Sequence, residues 1–82
     1  MAFYIVINKE NESDKTVRYR FESGERSGVF EINKATGEVE LFLPMPGDEK
    51  EHVFMRAAAK IFKEWREGRL PERLSGLRSV SR

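Results

Sequence analysis

The sequence predicts an α+β fold: a four-stranded antiparallel meander with one C-terminal helix packed on one face, in the order ββββα. Three observations predict it. Strand-like segments follow one another from residue 3 to residue 43, separated only by short turn signals. One apolar repeat of helical period then runs from residue 48 to 68, between a start and a stop signal. Finally, 82 residues suffice for one core and not for two.

Residues 3–7 are all apolar, aromatic or β-branched, which predicts a strand covered on both faces. Residues 8–15 are polar and without period, so a solvated loop is expected. In residues 16–22, Val17, Tyr19 and Phe21 point one way and Arg18, Arg20 and Glu22 the other, a half-buried antiparallel strand. Residues 23–28 read as a turn with two glycines.

A hairpin follows, its strands at residues 29–33 and 38–43. Gly37 supplies the left-handed residue of the turn. Pro44 and Pro46 end the strand, since neither can donate to a ladder.

Asp48 is the expected N-cap, with Glu51 completing a capping box. Phe54, Ala58, Ile61, Phe62 and Trp65 form the expected buried stripe. Gly68 ends the helix and Pro71 prevents its continuation. The domain is expected to span residues 1–69. Residues 70–82 read as a basic, Ser-rich C-terminal tail, in which Leu70, Leu74 and Leu77 can form at most one helical turn. The expected core comprises Phe3, Ile5, Ile7, Val17, Tyr19, Phe21, Phe30, Ile32, Val39, Leu41, Leu43 and the helix stripe.

Composition narrows the function. With no cysteine there is neither a disulfide framework nor a thiolate zinc site. No apolar run is long enough to span a bilayer, and no signal peptide is evident, so a cytoplasmic protein without a membrane role is expected. His52 stands alone, without a second histidine or an orienting group, and reads as a solvated residue at the helix start. Asp48, Glu49 and Glu51 read as helix-start acids and not as a metal site. The serines lie in turns or the tail, and no phosphate loop is present. No catalytic residues, metal ligands or cofactors are therefore expected, and the protein reads as a non-enzymatic module.

Two surfaces remain as candidates. On the sheet face away from the helix, Tyr4, Val6, Val29 and Phe42 form an apolar group among charged neighbours. Such a group fits an unidentified protein partner or a homodimer. Cross-strand ion pairing, or cover by the C-terminal leucines, is the bland account of the same residues. The second surface is basic: residues 1–55 carry 7 Lys/Arg against 11 Asp/Glu, whereas residues 56–82 carry 8 against 3. Arg56, Lys60, Lys63, Arg69 and Arg73 are the candidates for contacting nucleic acid. Compensation of the helix dipole is the bland account here, with Glu64 and Glu67 neutralising Lys60 and Lys63. The acidic strands also suit an inhibitor or immunity-type protein that blocks a larger basic partner.

The run from Val29 through Phe30, Ile32, Thr36 and Gly37 to Leu41 resembles the hairpin of cadherin repeats. That family's acidic calcium motifs are absent and a terminal helix is foreign to its sandwich, so the likeness is one of turn geometry. More broadly, Pro44-Met45-Pro46-Gly47-Asp48-Glu49, then Phe54-Met55-Arg56-Ala57-Ala58, Trp65, Gly68 and Pro71, is similar to a pattern in short uncharacterised bacterial proteins. This resemblance covers most of residues 28–72 and implies no activity, cofactor or site residue.

Overall fold

The computed structural model describes residues 5–76, arranged as β1 (Ile5–Glu12), β2 (Thr16–Ser23), β3 (Arg26–Asn33), β4 (Val39–Leu43), α1 (His52–Arg66) and β5 (Arg73–Gly76). The α+β meander with one helix packed after it is the observed architecture. A short fifth strand is added to it. The sheet order is β4-β3-β2-β1-β5, with every neighbouring pair antiparallel. After β4 the chain therefore crosses the whole sheet through α1 and returns at the opposite edge, beside β1.

The core lies between the helix and one sheet face. Ile5 and Ile7 from β1, Val17, Tyr19 and Phe21 from β2, and Phe30 and Ile32 from β3 are buried there with Met45. The rings of Tyr19, Phe21 and Phe54 surround that of Phe30 at centroid distances of 5.7–5.9 Å. The Tyr19 hydroxyl donates to the carbonyl of Pro71 at 2.8 Å, so this buried polar group is satisfied.

Several expectations are corrected. β1 does not end at Ile7: the polar stretch 8–12, read as loop, continues the strand opposite residues 17–20. A bulge between Lys9 and Asn11 makes room for it, leaving Glu10 unpaired and sending it toward Arg20. The turn between β2 and β3 is two residues long, Gly24-Glu25, so Gly28 lies inside β3, opposite Phe21. The Phe21 ring occupies the space a Cβ on Gly28 would need. The predicted core residue Phe3 lies outside the described residues.

The helix is rotated from its expected phase. Its buried line is Val53, Ala57 and Ile61, with Phe54 and Trp65 partly buried beside it. Phe62 is 39% exposed and Ala58 only half-buried. The shift amounts to less than one residue's step of about 100°. Ala57, fully buried, stands at the centre of the observed line.

The start of α1 also differs. Glu51, and not Asp48, is the N-cap, with φ of 61° and no side-chain cap bond. Asp48 nevertheless does the capping from three residues upstream: its carboxylate accepts from the backbone N–H of Val53 and of Phe54, each at 3.1 Å. No capping box forms, because Glu51 is not in the first turn. At the other end Gly68 has φ of 84°. Its N–H donates to Trp65 and the next N–H, of Arg69, to Glu64, which is the paired Schellman arrangement.

Candidate docking face of the sheet

The face away from the helix is built by register. Leu43, Val29, Arg20, Asn8 and Arg73 are successive cross-strand partners and form one row of it. Glu40, Glu31 and Arg18 form the row beside it. Leu43 was expected in the core and is 61% exposed. A bulge in β4 explains the difference: Leu41 pairs with Phe30 but Leu43, not Phe42, pairs with Val29. One extra residue turns Leu43 onto the outer face together with Phe42.

Of the predicted apolar group, Val6 and Val29 are half-buried on this face and Phe42 is 45% exposed. Tyr4 lies outside the described residues. Leu43 joins the group although sequence reasoning had assigned it inward. Pro44 directly after it, a sign of an ending ladder, was the only available clue. Among the described residues, those of the C-terminal segment, 70–76, do not lie over the group. β5 runs along the edge of β1, and Leu70 and Leu74 pack against the helix-side core. Leu77, the third leucine considered as a cover, lies outside the described residues.

Much of the charge on the face is internally compensated. Arg18 Nε and Nη2 both donate to Glu31 Oε2, at 3.1 and 2.9 Å, and the same guanidinium sits 4.5 Å over the Phe42 ring. Arg20 pairs with Glu10 at 2.6 Å. Glu38 and Glu40 have no such partner among the described residues, and with Thr16, Glu31, Asn33 and Val39 they line a shallow depression of about 240 Å³. The outer surface of β3–β4 is thus apolar at one end and acidic at the other.

The basic residues are not brought together. Arg56, Lys60 and Lys63 follow one flank of α1, with Lys60 half-buried. Arg69 is held by Glu64 and Glu67, so these acids serve Arg69 and not Lys60 and Lys63 as expected. Arg73 lies in β5 opposite Asn8, in the row with Arg20 and Val29 and so across the sheet from α1. The helix also exposes Met55 at 60%, which sequence reasoning did not single out.

One charged cluster clasps the hairpin turn to the rest of the fold. Glu12 meets Lys34 at 2.6 Å and Lys9 at 2.9 Å, and Lys9 also approaches Glu72. The hydrogen bonds from Lys34 and then from Lys9 pull the Glu12 carboxyl down from an ordinary 4.5 to about 2. Beside it, Trp65 Nε1 donates to the Lys34 carbonyl at 2.7 Å. These contacts tie the turn around Lys34 to β1 and to α1. His52 is exposed at the first position of the helix. Among the described residues no group of three His, Cys, Asp or Glu is placed to hold a metal ion. Nor is any described helix long and apolar enough to cross a membrane. Comparison with protein-family models, curated proteins and solved structures gave no match to the chain.

Proposed function

We propose that this protein is a small non-enzymatic binding or regulatory module whose outer sheet face meets a protein partner or a second copy of the chain. The observation that carries the reading is the exposure of Phe42 and Leu43 beside Val29, on a face that β5 borders without covering. Large apolar side chains grouped on one side of a small sheet lower their free energy when a partner removes them from water. The compensated pairs Arg18–Glu31 and Arg20–Glu10 suit the rim of such a contact, where charges need not be stripped of water. The reading places the module in the cytoplasm, on the strength of its cysteine-free composition.

Sedimentation from low to high micromolar concentration tests self-association, and pulldown with wild type against Phe42→Asp tests a heterologous partner. A strict monomer whose captured proteins are unchanged by Phe42→Asp overturns the proposal. Nucleic-acid binding is the second reading, favoured by the Arg56, Lys60 and Lys63 flank of α1. Its mark is retardation of DNA or RNA that falls steeply with salt, and no retardation at low salt discards it.

A further inference from the structure

Resting on that reading, we infer that the partner is an extended basic segment, which adds to the open edge of β4 as a further strand. Among the described residues the sheet order leaves β4 with one neighbour, β3. Asn33 N–H donates to the Glu38 carbonyl at 2.8 Å, which sets the phase of the β3–β4 ladder. In an antiparallel ladder, residues that bond their partner alternate with residues whose N–H and C=O point away. The Glu38 carbonyl and the Glu40 backbone groups therefore face β3, and Val39 and Leu41 turn their backbone groups toward the open edge.

A strand docked there would bond Val39 and Leu41 through its main chain. Its side chain opposite Glu40 would fall in a non-hydrogen-bonded position, where facing side chains approach most closely. Among the described residues Glu40 and Glu38 have no ion-pair partner, and they share the outer face, so lysine or arginine is the complement at both positions. Two residues further along the same face, the added strand would meet Phe42, where an apolar side chain fits. On the opposite face it would lie beside half-buried Val39 and Leu41. The pattern read from the edge is apolar–β-branched–basic–β-branched–basic, running antiparallel to β4.

A second copy paired about Glu40 fits this edge poorly. Two β4 strands paired about a two-fold axis at Glu40 set that carboxylate against its own equivalent, and like charges directly opposite are destabilising. Pro44 and the bulge at Phe42 limit the template to residues 38–42, which favours a short, specific and reversible contact.

The test uses the isotope-labelled full chain and three synthetic peptides. One alternates valine and lysine behind a leading phenylalanine. The second has glutamate for lysine. The third is the first with its central amides N-methylated. The basic peptide should shift and protect the amides of Val39 and Leu41, while the acidic and N-methylated peptides bind on the order of ten-fold more weakly. The double variant Glu38→Lys, Glu40→Lys, checked for an unchanged circular dichroism spectrum, should reverse the preference toward the acidic peptide. Equal binding of all three peptides, or none at millimolar concentration, overturns the inference. Shifts confined to Val6, Val29 and Phe42, with Val39 and Leu41 silent, overturn the edge mode and leave face docking standing. Silence at both sites overturns the edge mode, and the face reading falls with it only where the chain is also a strict monomer whose captured proteins are unchanged by Phe42→Asp.

Discussion

Gly37→Ala should be far more damaging than any other single methyl added at a turn glycine. Gly37 has φ of 78°, and a Cβ there would lie 2.5 Å from Trp65 Cζ3 and 2.8 Å from two further ring atoms. Two costs add. Holding an L-residue in the left-handed region costs about 1–2 kcal/mol. Overpacking against a ring that is tied to Lys34 costs a further ~1–3 kcal/mol, because the indole cannot retreat without losing its 2.7 Å hydrogen bond. Gly24→Ala is the internal control: its φ is 64°, yet nothing lies within 4 Å of the added atom, so only the backbone cost applies. Urea denaturation followed by circular dichroism should show Gly37→Ala less stable than Gly24→Ala by about 1–3 kcal/mol, a large share of a stability on the order of 5 kcal/mol. In a Trp65→Ala background the excess should vanish, leaving a coupling of the same size. Equal losses for the two glycines, or an excess that survives without Trp65, would refute the packing argument.

Three further outcomes are expected. Asp48→Ala removes the acceptor for two helix N–H groups and should cost about 1 kcal/mol in denaturant titrations, whereas Glu51→Gly relieves a positive φ and should stabilise by up to ~1 kcal/mol; a stabilising Asp48→Ala would contradict the capping geometry. Because the Glu12 carboxyl titrates lower in the folded chain than in the unfolded one, its contribution is complete above pH 4.5 and drains as pH falls toward 2. Glu12→Gln should flatten thermal stability against pH in that window, and an unaltered slope would count against the Lys34–Glu12–Lys9 clasp. Leu43→Ser should leave stability within about 0.5 kcal/mol of wild type, as befits an outward residue, whereas Leu41→Ser, directed at Phe30, should cost clearly more; equal effects would mean that the β4 bulge is misplaced.

What was legible in the chain was local. Alternation in Val17, Tyr19 and Phe21 fixed the inner face of β2, and Gly37 and Gly68 marked conformations that other residues reach only under strain. What was hidden depended on distant partners. Residues 73–76 carry no strand pattern of their own, and they become β5 because β1 offers an edge. The polar half of β1 is strand for the same reason: Lys9 and Glu12 stand opposite Tyr19 and Val17. The phase of α1 was hidden because its buried line runs through Ala57, a residue too small to weigh in an apolar count. The candidate face was visible through Val6, Val29 and Phe42, but Leu43 depends on a single bulged residue that no local pattern announces. The five basic candidates looked like one set in sequence, and the crossover from α1 to β5 parted them.

Placing β5 beside β1 has a kinetic consequence. The first and last described strands are neighbours, and the Tyr19 hydroxyl waits for the Pro71 carbonyl, 52 positions away. A chain emerging from its amino end can assemble the meander early, but must hold β1 as a bare margin until residues 73–76 arrive. Joining ends so far apart is slow, so this seam should be among the last to form and the first to open.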